Sequence, residues 1–248
     1  MSPPLISCVV PVFNGERYLR KALESIFQQT HRPLEVIVAD DGSTDGTAAI
    51  AAGYDEPAMY LRQSHTGSAA ARNLGLSAAR GEFVAFLDAD DLWHPEKLAR
   101  QMARFETRPE LDLCIAFVQN FWTPELQEKV PRFADHPLAK PFPGYCAPAL
   151  LARRALFDTV GRFNPDLRHG DLKDWFLRVA ERGAAMEVLT DVLVYRRLHE
   201  TNISHGKAAV DRDESLRIVK ASLDRRRRLS GAAHGQHQLP SLLRPEKK

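Results

Sequence analysis

The feature that most constrains this chain is a repeated pairing in residues 1–110. Short apolar runs, each closed by polar or acidic residues, alternate with stretches of helical period. Leu5 to Val12 is nearly continuous and rich in β-branched residues, as in a parallel strand buried on both faces. Leu19, Ala22, Leu23, Ile26 and Phe27 then recur at the spacing of one helical face. Leu34 to Ala39 predicts a second buried strand, Ala58 to Leu61 a weaker one, Ser68 to Ala79 a helix, and Phe83 to Leu87 another buried strand. Pro95 is expected at the first position of a helix whose inner face carries Leu98, Met102 and Phe105. This alternation predicts an α/β chain, a mostly parallel twisted sheet flanked by helices.

Beyond residue 110 the rhythm changes. Leu111 to Trp122 predicts one strand, and Thr123 to Pro148, with six prolines, an irregular segment covering the site. Leu150 to Val160 is expected to be helical. Asp171 to Arg182 predicts a helix, because Leu172, Trp175, Phe176, Val179 and Ala180 share one face. Met186 to Thr190 and Val192 to Arg197 predict two short strands. The expected organisation is one domain over 1–206, split near 110 into a nucleotide-sugar half and an acceptor-side half. A basic helix over 207–229 and a disordered tail over 230–248 follow.

Composition excludes several classes. With 248 residues and a net charge of +2, no global field argues for a nucleic-acid partner. Cys8, Cys114 and Cys146 are too scattered for a disulfide framework or a zinc site, and a reducing compartment fits. No stretch approaches the roughly 20 apolar residues needed to span a bilayer, and no basic region precedes an apolar one at the N-terminus. The expected location is cytoplasmic, with peripheral contact at the inner membrane face through Arg225 to Arg228.

Chemistry gathers at the strand ends, where open parallel sheets bind ligands. The first strand runs into Pro11-Val12-Phe13-Asn14-Gly15-Glu16, the second into Asp40-Asp41-Gly42-Ser43, and the fourth into Asp88-Ala89-Asp90-Asp91. So many carboxylates in one crevice require a cation or hydrogen-bond donors. Mn²⁺ or Mg²⁺, held by one or two carboxylates and a bound diphosphate, answers that requirement. The first strand-to-helix turn lacks G-x-G-x-x-G, and the chain has neither a G-x-x-x-x-G-K-[ST] loop nor a G-x-S-x-G elbow.

Four ordered segments carry a resemblance: Pro11 to Asn14, Val38 to Asp45, Gly67 with Ala71-Arg72-Asn73, and Gly81 to Asp91. Together they resemble family 2 glycosyltransferases, closely over residues 5–105 and more loosely to Arg197. The resemblance implies a GT-A fold, a nucleotide-diphosphate sugar donor with uridine as the default, and inversion at the anomeric carbon. Donor contacts would come from Pro11, Val12, Phe13, Asn14, Glu16, Asp40, Asp41, Arg72, Asp88 and Ala89. In that set Asp41 faces the base, Asp40 supports its loop and Arg72 reaches the nucleotide. Asp88 and Asp90 would be the D-x-D pair on the metal, and His199 a late metal ligand. His65 stands where family members often carry Asn.

The family's catalytic base is an acid near the start of the late helix. The position aligning most simply with it is Leu172, on the apolar stripe, which leaves Asp171 at the helix start and Asp174 one turn on. Asp171 is the favoured base and Asp174 the second. The acceptor is a carbohydrate, a lipid-linked molecule or a protein. Two other readings are a non-catalytic sugar-nucleotide-binding module and, less favoured, a nucleotidyltransferase, which would want a glycine-rich phosphate loop after the first strand.

Overall fold

The computed structural model describes residues 3–54, 58–127, 137–199 and 208–230. Its centre is one nine-stranded sheet. The first half builds as the alternation predicts: β1 (Ile6–Val12), α1 (Leu19–Phe27), β2 (Leu34–Asp40), α2 (Thr47–Ala52), β3 (Ala58–Arg62), α3 (Ser68–Ala78) and β4 (Phe83–Phe86). After it come β5 (Leu92–Trp93), α4 (Lys97–Thr107), β6 (Leu113–Trp122), α5 (Pro124–Gln127), β7 (Phe142–Pro143), β8 (Leu150–Arg153), α6 (Leu156–Val160), α7 (Asp171–Glu181), β9 (Met186–Leu198) and α8 (Ala208–Ser230).

Along the sheet the order is β3-β2-β1-β4-β8-β6-β9-β5, with β7 paired to β6. The first four strands are all parallel, and Val12 lies opposite Asp40, so the ends of β1 and β2 are level. The remainder is mixed. β8 runs antiparallel between β4 and β6, β6 and β9 are parallel, and β5 is antiparallel to β9. A continuous apolar strand fits burial on both faces, and all seven residues of β1 are buried. Ile6, Cys8 and Val10 join the core under α1 and α4, while Val9 joins the opposite one with Phe86, Phe157, Phe163 and Trp175. α3 lies close on β1: a Cβ on Gly75 would come within 2.3 Å of Val9 Cγ1.

Three local expectations are corrected. Leu150 to Val160 is not one helix: β8 takes Leu150–Arg153 and α6 begins at Leu156. The run Leu150-Leu151-Ala152 is apolar without helical period, and it is fully buried between β4 and β6. The two short strands after 185 are one, β9, which follows β6 through two register shifts. Pro95 precedes the helix, which starts at Lys97. The expected tail lies, beyond Ser230, outside the described residues.

Lys97 is fully buried. Its ammonium donates to Gln101 Oε1 at 2.9 Å and Leu150 O at 3.3 Å, and stands 4.2 Å from the Trp93 ring centre. Burial pushes its pKa down to about 7. On α8, Glu214, Ile218 and Ser222 face the body, while Leu216 and Leu223 are exposed. Among the described residues no helix is long and apolar enough to cross a membrane.

Candidate active site

The level ends of β1 and β2 bring two loops together, and side chains close the gap. Asn14 N donates to Ser43 Oγ at 2.8 Å, and Asn14 Oδ1 accepts from Thr44 N at 2.9 Å. Gly15 N donates to Thr47 Oγ1 at 2.8 Å, Glu16 N to Asp45 Oδ2 at 3.0 Å, and Gly46 N to Glu16 Oε2 at 2.7 Å. Asn14 sits at φ 50°, where Asn is tolerated better than most residues. Asn14 and Glu16, expected as donor contacts, therefore hold one loop to the other. Pro11 and Val12 are buried in β1.

The carboxylates of β2 divide their work in a similar way. Asp40 is fully buried, and its carboxylate accepts from Ser43 N and the Tyr60 hydroxyl. Burial alone would raise its pKa, but the Tyr60 and Ser43 hydrogen bonds outweigh that and hold it below the usual range. Asp41 is also buried. Its carboxylate takes Gln63 Nε2 at 2.7 Å, Thr66 N at 2.9 Å and Gly67 N at 2.8 Å, and His65 Nδ1, hydrogen-bonded with Asp41 O at 3.2 Å, stands 2.8 Å from Oδ2. Three donors already use this carboxylate, so a nucleobase at Asp41 would share its oxygens or displace one of them. The exposed donor is His65, whose ring stacks on half-exposed Phe13 at 4.0 Å. His65 and Phe13 thus form the open edge of this pocket.

Across the sheet, Arg72 on α3 joins two segments that are far apart in sequence. Its Nη2 donates to Asp88 Oδ1 at 3.0 Å and its Nη1 to Asp171 Oδ2 at 2.8 Å. Arg72 and Asp171 are buried, whereas the Asp88 side chain is 35% exposed. Arg72 Nε is buried with no hydrogen-bond partner. Burial raises the Asp171 pKa, and attraction to Arg72 offsets only part of that rise. A helix N-terminus by itself would lower it, so desolvation wins here.

The rest of the acidic turn is tied to the end of β9. Asp90 Oδ2 and His199 Nε2 are 2.9 Å apart, Arg197 Nε donates to Asp90 O at 2.9 Å, and Arg197 N donates to Asp91 Oδ1 at 2.9 Å. Two-residue β5, which follows the turn directly, pairs with Val194 and Tyr195 and so brings His199 back to Asp90. Asp91 is buried, and burial together with Asp90 and Asp88 lifts its pKa well above the usual range. Asp91 therefore ionises less readily than an aspartate in water. Tyr18 packs on both late residues, 5.0 Å from the His199 ring centre and 4.6 Å from the Arg197 guanidinium carbon.

Asp88, Asp90 and His199 do not form a ready-made cage: among the described residues no three His, Cys, Asp or Glu side chains are placed to hold a metal ion by themselves. Asp88 is turned to Arg72, while Asp90 and His199 stand together. Asp174, the second base candidate, is placed elsewhere. It accepts from Arg178 Nε at 2.8 Å and lies 3.4 Å from Arg225 on α8. Helical spacing gave Asp171 and Asp174 a common face, but their carboxylates find different partners. Leu172 packs, half-buried, against the core. Trp93 is core, its indole donating to Pro148 O at 2.8 Å. Tyr18 carried no signal of a role in the sequence, and the tie between Asp91, legible only as part of the acidic strand end, and Arg197 comes from the β5–β9 pairing.

Residues 7–161, well over half of the chain, match the family model for glycosyl transferase family 2. The chain belongs to that family. Among relatives, glycosyltransferase GlyA of Streptococcus pneumoniae is 35% identical over 119 residues, covering 47% of this chain and 17% of GlyA. An uncharacterized glycosyltransferase of Nostoc sp. is 42% identical over 106 residues, covering 41% of this chain and 33% of that protein. The chain thus matches a third or less of the length of these relatives. Among solved structures, S. aureus TarS 1–349 in complex with UDP-GlcNAc aligns with a TM-score of 0.66 at 23% identity, over 79% of this chain and 59% of that one. Mannosyltransferase PcManGT from Pyrobaculum calidifontis, in complex with GDP-Man and Mn²⁺, aligns with a TM-score of 0.60 at 24% identity, over 80% and 58%. Both are GT-A glycosyltransferases, and the GT-A fold is this chain's fold.

Proposed function

We propose that this chain transfers a sugar from a nucleoside-diphosphate donor to an acceptor hydroxyl with inversion, with Asp171 as the base. The observation that carries this reading is the Arg72 bridge, which sets Asp171 on the same guanidinium as Asp88 of the D-x-D turn. The nucleoside would lie against Phe13 and His65, with the diphosphate toward Asp88 and Asp90. TarS with UDP-GlcNAc and PcManGT with GDP-Man support a nucleotide-sugar donor and leave a UDP-sugar as the default to test first.

Chemically, Asp171 takes the proton of the acceptor hydroxyl. The acceptor oxygen forms a bond to the anomeric carbon as the bond to the diphosphate oxygen breaks, and the diphosphate leaves with that electron pair. A single displacement from the back face inverts the centre. Arg72 keeps Asp171 oriented, and desolvation makes it a stronger base than an aspartate in water. The donor set fits a divalent cation shared with the diphosphate: a carboxylate on Asp90 and an imidazole on His199 are already adjacent. When bound, Mn²⁺ or Mg²⁺ would supply charge neutralisation for the leaving group.

The test is thermal stabilisation by UDP- and GDP-sugars, with and without Mn²⁺. The expected result is a metal-dependent rise in melting temperature for one nucleotide class, absent in Asp90→Ala. A wild-type protein unshifted by every nucleotide sugar overturns the reading.

A further inference from the structure

A second cleft, of about 450 Å³, lies between α7, α8 and the segment after α6. It shares no lining residue with the donor site. Four arginines line it, Arg162, Arg178, Arg217 and Arg225, and one acidic residue, Asp174. Arg178 is held by Asp174 at 2.8 Å, and Arg225 by Glu181 at 2.6 Å. Among the described residues the other two have no acidic partner. Arg162 donates to the Ser77 hydroxyl, and the Arg217 side chain has no hydrogen-bond or ion-pair partner among the described residues.

Four arginines stand around this concavity against three carboxylates, Asp174, Glu181 and Glu214, the last beside Ile218, so cations are in excess. Like charges so gathered repel one another unless an anion joins them. Guanidinium forks match the oxygens of a phosphate in pairs. Leu167 and Ile218 supply an apolar wall beside them. The volume falls in the roughly 300–1,000 Å³ range of small-molecule sites, so room remains for the group that carries the phosphate.

We infer that this cleft binds a phosphate group, carried either by a soluble phosphorylated molecule or by a lipid headgroup. Arg217, and Arg162 through the donors that Ser77 does not take, would clamp it, while Arg178 and Arg225 are engaged by Asp174 and Glu181. Neither Arg162 nor Arg217 belongs to the transfer site, so the inference does not depend on the transferase reading.

The test is calorimetric titration with inorganic pyrophosphate in EDTA, alongside co-sedimentation with phosphatidylglycerol and with phosphatidylcholine vesicles. Chelation silences the proposed metal-dependent donor site, and Asp90→Ala serves as a second control for it. Wild type and Asp90→Ala are expected to bind at least one phosphate probe equally. The Arg162→Gln/Arg217→Gln variant, with an unchanged melting temperature, is expected to bind it at least about tenfold more weakly, the loss of one charge-assisted hydrogen bond. Pyrophosphate binding assigns a soluble ligand. Phosphatidylglycerol binding without pyrophosphate binding assigns a lipid headgroup. Equal binding by the double variant, loss in Asp90→Ala instead, or no binding to any probe overturns the inference.

Discussion

Helix α7 carries two aspartates three residues apart whose surroundings have opposite charge balance. Asp171 and Asp88 share one guanidinium, that of Arg72. Asp174 stands with Glu181 among four arginines of the other cleft. The same residue type on the same helix is thus given two environments, one by α3 and the β4–β5 turn, the other by α8. Burial raises the pKa of Asp171 and so keeps it basic, whereas the oxygens of Asp174 are occupied by Arg178 and Arg225. That contrast separates a group suited to taking a proton from one suited to holding a helix in place.

The largest effect that would break or sharpen the contrast is on rate. Asp171→Asn keeps the size and the contact to Arg72 but removes the proton acceptor. Turnover is expected to fall by about 100- to 10,000-fold, the usual contribution of a positioned base. The nucleotide-sugar Kd is expected to hold within about twofold, because the proposed donor position is on the Asp88 side of Arg72. Single-turnover kinetics beside equilibrium binding measures both. An Asp171→Asn enzyme with wild-type turnover would remove Asp171 from the chemistry.

Next comes Arg72 itself. Arg72→Met leaves Asp171 buried without its cation, and uncompensated charge of that kind costs roughly 3 kcal/mol or more. The urea midpoint is expected to fall accordingly, and Arg72→Lys recovers only part of it, since one ammonium cannot present two parallel donors to two carboxylates. A midpoint unchanged in Arg72→Met would mean that the bridge contributes little.

The pH profile sharpens the same point with a smaller effect. A base works when ionised, so kcat/KM rises with pH through the Asp171 pKa. That pKa is raised by burial and only partly lowered by Arg72, which puts the acidic limb above the usual aspartate range. In the residual activity of Arg72→Gln the lowering attraction is gone while burial stays, so the limb moves further up. A limb that moves down, or stays fixed, would separate the titrating group from Arg72.

How much of this was legible in the sequence follows from the range of the contacts involved. The β1 to β4 half was legible almost whole, because β1 to β3 pair with neighbours two elements away, β4 is a continuous apolar run, and each helix shows its inner face within one local run. Beyond residue 110 the logic is long-range. Leu150 to Val160 misled because an apolar run buried on both sides carries no period, and β5 was invisible because two residues carry none either. The strand-end acids were legible as a cluster, yet their division of labour was not. That Asp41 would be filled by the 63–67 loop, or that Asn14 and Glu16 would bind the β2 loop, depends on level strand ends no local pattern announces. His65 was noticed only as a departure, and its stacking on Phe13 needed the two loops side by side.

The smallest expected effect is the one that closes the comparison. Asp174→Asn removes the carboxylate that the sequence offered as the second candidate for the base. It is nevertheless paired with Arg178 at 2.8 Å and belongs to the arginine cleft. If the environment and not the alignment decides the role, turnover should change by less than about threefold, under roughly 1 kcal/mol on the barrier. The cost should appear instead in stability, because Arg178 and Arg225 lose part of their neutralisation, and it should shrink in high salt as their repulsion is screened. Phosphate should shrink it too, by replacing the missing negative charge in the cleft. A large loss of turnover in Asp174→Asn with Asp171→Asn nearly silent would reverse the assignment.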